Sequence, residues 1–144
     1  MTIANDLTVT RQSASTIGLT IEGITEPVVL RYFETMNAGE YQATGRLFAD
    51  AGAMLPPFEE PIKGRDAIAA YLEAEAKGMQ LAPSKGIVEP LDDTNTQIQV
   101  TGKVQTPWFG VNVAWIFALN PEREILTARI KLLASPQELL NLRR

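Results

Sequence analysis

Two aromatic side chains that each carry one hydrogen-bond donor are the strongest candidates for chemistry in this chain. Tyr32 lies in a stretch whose apolar residues recur at helical spacing, and Trp115 lies within the long alternating stretch from Thr106 to Leu119. Each combines an apolar body with a single donor, the phenol O–H or the indole N–H. If both donors point into one hollow, they suit a neutral oxygen acceptor such as a ligand carbonyl. The alternative is a pair of core residues bonded to backbone carbonyls, and the pattern leaves both interpretations open.

Acid–base catalysis has weaker support in the sequence. The 144 residues include no histidine and no cysteine, which excludes Ser-His-Asp and Cys-His catalysis and histidine metal ligands. A general base would have to be Asp50, Asp66 or Glu75, and no partner can be identified for any of them. We therefore predict a protein that is not an enzyme and holds no metal. A cone-fold isomerase or hydratase acting on a small apolar substrate, and a pure interaction module, remain the alternatives.

Composition limits the class of protein and its partners. Hydrophobic residues at 45% and charged residues at 21% indicate one globular domain, and no apolar run reaches transmembrane length. The net charge of −4 argues against nucleic acid as a partner, because backbone binding needs clustered Lys and Arg. The absence of cysteine fits a reducing cytoplasm.

The first half of the chain predicts helices. Residues 1–18, rich in Thr, Ser and Ala, are predicted to form a flexible N-terminal arm, and residues 19–144 the domain. Thr25 is a candidate N-cap for a helix that ends near Gly39. The segment Ala51 to Lys63 contains several prolines and predicts a brief hairpin or an edge segment. The inward stripe of the first helix is Val29, Tyr32, Phe33 and Met36. A second helix is predicted from Tyr41 to Phe48. A third is predicted from Arg65 to Lys77, with one stripe formed by Ile68, Tyr71, Leu72 and Glu75.

The second half predicts strands. Alternation indicates an antiparallel run of four: Ile87 to Leu91, Thr96 to Val104, Thr106 to Leu119 and Glu124 to Leu133. Ser135 to Glu138 has the pattern of a capping box, so a short C-terminal helix is predicted after the last strand. Helices followed by strands indicate an α+β protein. The expected architecture is a curved antiparallel sheet packed on three helices with a cavity between them, the cone-shaped fold of the nuclear transport factor 2-like superfamily.

Several motifs resemble one known family. They are Gly102 to Gly110 (GKVQTPWFG), Asn112 to Trp115 (NVAW), Asn120 to Glu122 (NPE), Leu132 to Pro136 (LLASP), Glu138 to Asn141 (ELLN), Ile21 to Gly23, Val29-Leu30 with Tyr32, and Pro56 to Phe58 with Pro61-Ile62. Over residues 19–144 the chain resembles the C-terminal domain of the cyanobacterial orange carotenoid protein. The length leaves no room for that family's helical N-terminal domain, so a stand-alone homologue is expected.

The resemblance implies a function and a site. It implies a ketocarotenoid of the canthaxanthin or echinenone type, held as one pigment shared by a homodimer. It implies carotenoid transfer to or from helical carotenoid proteins or the apo orange carotenoid protein, singlet-oxygen quenching and photoprotection. A cytoplasmic location with transient contact to thylakoid membranes is also implied. By position, Tyr32 and Trp115 match the pair that hydrogen-bonds the keto oxygen, and the apolar tunnel would be lined by Trp108, Met79, Leu81, Val104, Phe117, Ile130 and Leu132.

The chain departs from that family's pattern in two places. The segment between Trp108 and Trp115 is shorter, so that part of the tunnel is expected to differ. Some homologues carry a cysteine that permits redox-controlled dimers, whereas this chain has none.

Overall fold

The structure is a computed structural model that describes residues 19–133. This part of the chain contains three helices and six strands. The helices are α1 (Pro27–Ala38), α2 (Tyr41–Arg46) and α3 (Arg65–Glu75); the strands are β1 (Phe48–Leu55), β2 (Ile62–Lys63), β3 (Gln80–Pro90), β4 (Thr96–Gln105), β5 (Gly110–Leu119) and β6 (Ile125–Leu133).

The six strands form one mixed sheet in the order β2-β1-β6-β5-β4-β3. The run from β3 to β6 is antiparallel as predicted. The expectation of a wholly antiparallel sheet is wrong, because β1 pairs with β6 in parallel, with Met54 opposite Ala128. This pairing joins strands from opposite ends of the domain, and no local turn signal in the sequence encodes it.

The strand β1 lies inside the sheet, between β2 and β6, and not at its edge. The prediction of an edge position is therefore wrong for β1, whereas the prediction of a brief hairpin is confirmed, because β1 pairs with β2 in antiparallel orientation with Ala53 opposite Lys63. The strand begins at Phe48, which the helical spacing had assigned to α2, and ends at Leu55, one residue before the first proline. Pro56 and Pro57 thus fall after the ladder, where a missing backbone donor costs nothing.

The core lies between α1 and the inner face of the sheet. The predicted stripe of α1 is buried at Val29, Tyr32, Phe33 and Met36, and Gly39 ends the helix in the left-handed conformation that glycine adopts readily. The bulky face of β5 is buried at Val113, Trp115, Phe117 and Leu119. The prediction that this face is covered by helices is confirmed.

The turn before β5 differs from the prediction. The strand begins at Gly110 and not at Thr106, because residues 106–109 form a turn closed by the Thr106 side chain. The Thr106 hydroxyl accepts hydrogen bonds from the backbone N–H groups of Trp108 (3.1 Å) and Phe109 (3.0 Å) and donates to the Phe109 carbonyl (2.9 Å). Threonine side chains that bond their own backbone in this way favour turns over strands.

Two predicted elements lie outside the described residues. They are the N-terminal arm at residues 1–18 and the C-terminal helix that the capping box predicts. In the described part of the chain, no helix is both long and apolar enough to cross a membrane.

Candidate functional site

A cavity of about 310 Å³ opens between the helices and the inner face of the sheet. Its walls are almost entirely apolar and come from α1, α3, strand β1 and the segment after it, and strands β3 to β6. Such a cavity, with a few polar groups among apolar walls, is the usual form of a small-molecule site.

Tyr32 and Trp115 are the most buried of the polar residues that line this cavity, and they define its inner end. Both line it, and only 1% and 2% of their surfaces are exposed. Helix α1 supplies Tyr32 from its buried stripe, and β5 supplies Trp115 from the middle of the strand, opposite Val100 and Ile130. The Phe33 ring packs between the two, with ring centroids 5.3 Å from Tyr32 and 4.8 Å from Trp115.

Both side chains carry one donor and line the cavity. Among residues 19–133 no group accepts a hydrogen bond from the Tyr32 hydroxyl or the Trp115 ring N–H. Burial raises the pKa of Tyr32 above its ordinary value, so the phenol remains protonated. The inner end therefore offers two donors to an uncharged acceptor.

Five of the seven residues predicted to line the tunnel do line the cavity: Met79, Leu81, Val104, Ile130 and Leu132. Leu81 and Val104 face each other across the β3–β4 ladder. The Asn37 side chain of α1 holds this wall in place, since it accepts a hydrogen bond from the Leu81 N–H (2.7 Å) and donates one to the Leu81 carbonyl (2.9 Å).

The other two predicted residues do not line the cavity. Phe117 is fully buried behind Tyr32, against which it packs edge-on with centroids 5.0 Å apart. Trp108 is 84% exposed in the turn between β4 and β5, because the Thr106 turn directs the chain outward at that point.

The sequence-based list omitted several lining residues. Val111 and Val113 line the cavity from the same strand face as Trp115, and period-two alternation could have found them. Tyr71 and Glu75 line it from the predicted stripe of α3. Pro57 lines it from the segment after β1, and no periodic signal marks that residue.

The less buried polar residues that line the cavity are Tyr71, Glu75 and Thr106, and they mark its mouth. Tyr71 is half-buried there, and its hydroxyl donates to Glu59 Oε2 at 3.1 Å, which ties α3 to the segment between β1 and β2. Burial, this hydrogen bond and the charges of Glu59 and Glu75 raise the pKa of Tyr71 to about 12. Glu75 also lines the mouth, is exposed, and forms no ion pair within residues 19–133.

The remaining acidic candidates do not reach the cavity. Asp50 is paired with Arg65 at 2.8 Å on the surface, and Asp66 is exposed in the first turn of α3. In the described residues no cluster of three or more potential ligands could hold a metal ion. The cavity thus contains no buried carboxylate among its described walls, although a base of that kind is what an isomerase would need. The presence of the cavity also disfavours the pure interaction module, for which a filled cone was expected.

Comparison with known proteins identifies related chains. The profile of the nuclear transport factor 2 (NTF2) domain matches residues 24–128. The chain is 44% identical to the orange carotenoid-binding protein of Synechocystis sp. over 99% of its own length and 46% of that protein. It is 48% identical to the orange carotenoid-binding protein of Limnospira maxima over 85% of its length and 40% of that protein.

A solved structure is similar to this chain in both sequence and fold. The orange carotenoid protein of Anabaena (Nostoc) sp. binding canthaxanthin superimposes with a TM-score of 0.79 at 49% identity, over 85% of this chain and 40% of that one. The chain therefore spans less than half the length of these relatives. The resemblance to the C-terminal domain of the orange carotenoid protein is confirmed.

Proposed function

This chain belongs to the nuclear transport factor 2 domain family, and from its cavity we propose that it is a ketocarotenoid-binding carrier and not an enzyme. The observation that carries the proposal is the pair of donor side chains, Tyr32 and Trp115, which line the inner end of an apolar cavity and have no acceptor among residues 19–133. A relative at 49% identity is described as binding canthaxanthin. We extend that ligand class, canthaxanthin or echinenone, to this protein.

The residues present fit such a ligand. An apolar ring and polyene gain affinity by leaving water, at about 25 cal/mol per Å² buried. The walls that would cover them include Met79, Leu81, Val104, Ile130 and Leu132. The ring ketone would accept hydrogen bonds from Tyr32 and Trp115, which would fix the ligand's end and favour keto rings over plain hydrocarbon rings.

Removing both donors tests this site. We expect Tyr32→Phe with Trp115→Phe to weaken canthaxanthin binding about 10- to 100-fold, because each lost hydrogen bond is worth about 0.5–1.5 kcal/mol, and to shift the visible absorption of the bound pigment. Affinity and spectra of the reconstituted protein are the measurements. Tyr41→Phe is the matched control, since Tyr41 is buried but does not line the cavity. Unchanged affinity and spectrum in the double variant would contradict the proposed site.

The partners follow from the size of the ligand. A full-length ketocarotenoid, with two rings joined by a long polyene, exceeds the 310 Å³ of this cavity, so part of it would project from the mouth. We propose that a second copy covers the projecting part in a homodimer that shares one pigment. Helical carotenoid proteins and the apo orange carotenoid protein are the proposed transfer partners.

Exposed aromatic residues beside the mouth support a docking role for this end of the molecule. Phe58, Trp108 and Phe109 are 94%, 84% and 58% exposed, and each is in or next to a lining segment. Phe58 also has a positive φ of 63°, which costs free energy for a bulky residue. We propose that this end also makes transient contact with thylakoid membranes from the cytoplasmic side. Bound pigment would quench singlet oxygen and give photoprotection.

A further inference from the structure

The polar groups at the two ends of the cavity have opposite hydrogen-bonding character. At the buried end, Trp115 can only donate, and the Tyr32 hydroxyl has no acceptor among the described residues. At the exposed end the polar lining residues are Tyr71, Glu75 and Thr106.

The donors at the mouth are already committed. The Tyr71 proton is bonded to Glu59 (3.1 Å). The Thr106 hydroxyl donates to the Phe109 carbonyl and accepts two backbone N–H groups, so its capacity is used within its own turn. What remains for a ligand is acceptor capacity, from the Glu75 carboxylate and the Tyr71 oxygen. A ligand that fills the cavity should therefore have an acceptor at its inner end and a donor at its outer end.

Cavity volume limits the size of such a ligand. A volume of about 310 Å³ is at the lower end of the range of pockets that enclose a whole small molecule, roughly 300–1,000 Å³. A full-length carotenoid exceeds it, whereas a molecule with one ring and a short polyene can be enclosed by one chain without a partner.

We propose that a single chain also binds a second class of ligand, short keto-terpenoids that end in a hydroxyl. Their ring ketone would accept from Tyr32 and Trp115, and their terminal hydroxyl would donate to Glu75. This rests on the proposed function, because the ketone uses the same two donors. It adds a ligand class, a stoichiometry of one ligand to one chain, and a residue that determines specificity.

The charge of Glu75 should discriminate between ligands that end in a hydroxyl and ligands that end in a carboxylate. A ligand with a carboxylate in place of the hydroxyl would bring a like charge to this residue. At about 4 Å in a water-exposed setting the repulsion is worth roughly a fivefold to tenfold loss of affinity. The hydroxyl form should therefore bind more tightly than the otherwise identical carboxylate form.

The experiment titrates the purified full chain with 4-oxoretinol, 4-oxoretinoic acid and retinol, and follows quenching of Trp115 fluorescence. A Trp108→Phe background removes the signal of the exposed tryptophan, which does not line the cavity. We expect 4-oxoretinol to bind one to one to a monomer, retinol about tenfold more weakly because it lacks the ketone, and 4-oxoretinoic acid at least fivefold more weakly.

The matched variants are Glu75→Gln and Glu73→Gln. Both remove one carboxylate from α3, but Glu73 pairs with Lys77 on the surface and does not line the cavity. Glu75→Gln should bring the acid and the alcohol to similar affinity, whereas Glu73→Gln should leave the difference intact. Two results would show that Glu75 does not determine specificity. One is equal affinity of the chain with Glu75 for the acid and the alcohol, and the other is an unchanged difference in affinity in Glu75→Gln.

Parallel loading with canthaxanthin separates the two proposals. If canthaxanthin binds and 4-oxoretinol does not, the second ligand class is wrong and the carrier function stands. If neither ketone binds, both proposals fail. If 4-oxoretinol binds only to a dimer, the one-chain stoichiometry is wrong.

Discussion

Buried donors without acceptors have a cost that a ligand can recover. Tyr32 and Trp115 are almost fully buried, yet both line the cavity. Among residues 19–133 no group accepts a hydrogen bond from either side chain. A ligand acceptor inside the cavity would therefore give each donor a partner that the described part of the chain does not supply.

Removing the Tyr32 hydroxyl should therefore not lower the stability of the protein. We expect Tyr32→Phe to leave the free energy of unfolding unchanged or to raise it by up to about 1 kcal/mol, since no group among residues 19–133 accepts a hydrogen bond from the hydroxyl. Thr35→Val on the same helix should lower it by about 1–3 kcal/mol, because the Thr35 hydroxyl is bonded to that of Thr44 at 2.7 Å and to the Arg31 carbonyl at 2.9 Å. Urea denaturation measures both. A clear loss of stability in Tyr32→Phe would mean that the hydroxyl has a structural partner.

Alkaline pH should destabilise the protein through its tyrosines. The pKa of Tyr71 is raised to about 12 from 10.0, and that of Tyr32 is also raised. The folded state keeps these protons at a pH where the unfolded state has lost them. The contribution of the two tyrosines to the free energy of unfolding is therefore fully present below pH 10 and is lost as the pH rises above it. Tyr71→Phe should reduce this fall between pH 10 and about 12. Urea midpoints measured across that range test it, and identical profiles for both proteins would contradict it.

At the scale of single elements, the turn between β4 and β5 shapes the mouth of the cavity. The Thr106 hydroxyl makes three hydrogen bonds within four residues, and the turn places Phe109 on the cavity wall. A strand continuing to residue 106 would have paired these residues with β4 and left no turn at the mouth.

Loss of that hydroxyl should open the turn. We expect Thr106→Val to speed hydrogen exchange of the Trp108 and Phe109 amides and to cost about 1 kcal/mol of stability, because both amides lose their acceptor. Thr106→Ser keeps the hydroxyl and should behave like the wild type. Amide exchange followed by NMR distinguishes them, and equal protection in both variants would show that backbone pairing alone holds the turn.

At the scale of the whole molecule, the cavity is too small for the whole of the proposed pigment. Under the proposed function the pigment would be shared between two copies, and assembly would become part of binding. The exposed aromatic residues beside the mouth provide apolar surface for a partner at the place where the pigment would emerge.

Pigment loading should therefore form dimers. We expect the canthaxanthin complex to have twice the 15.8 kDa mass of the chain and one pigment per two chains, by analytical ultracentrifugation with absorbance detection. Trp108→Glu should weaken this dimer, because it places a charge on the proposed contact surface. Ile87→Glu changes an exposed apolar residue of β3 that does not line the cavity and should leave the dimer intact. A monomer that carries a full pigment would contradict the shared site.

The sequence alone determined the features that depend on local periodicity. The stripe of α1 identified Tyr32 and Phe33, and alternation along β5 placed Trp115 among inward residues, because side-chain direction repeats every 3.6 residues in a helix and every two in a strand. The same alternation includes Phe117 and correctly places it on the inward face of β5. It could not show that Tyr32 stands between Phe117 and the cavity.

Only the tertiary structure decided what depends on distant segments meeting. The parallel pairing of β1 with β6 joins residues more than seventy positions apart in the chain, and the bond between Tyr71 and Glu59 crosses from a helix to a loop. The resemblance assigned Trp108 to the tunnel, whereas in the structure Trp108 lies exposed in the Thr106 turn and does not line the cavity. Periodicity fixes which way a side chain points, whereas the space in front of it depends on packing between elements, and a cavity is a property of that space.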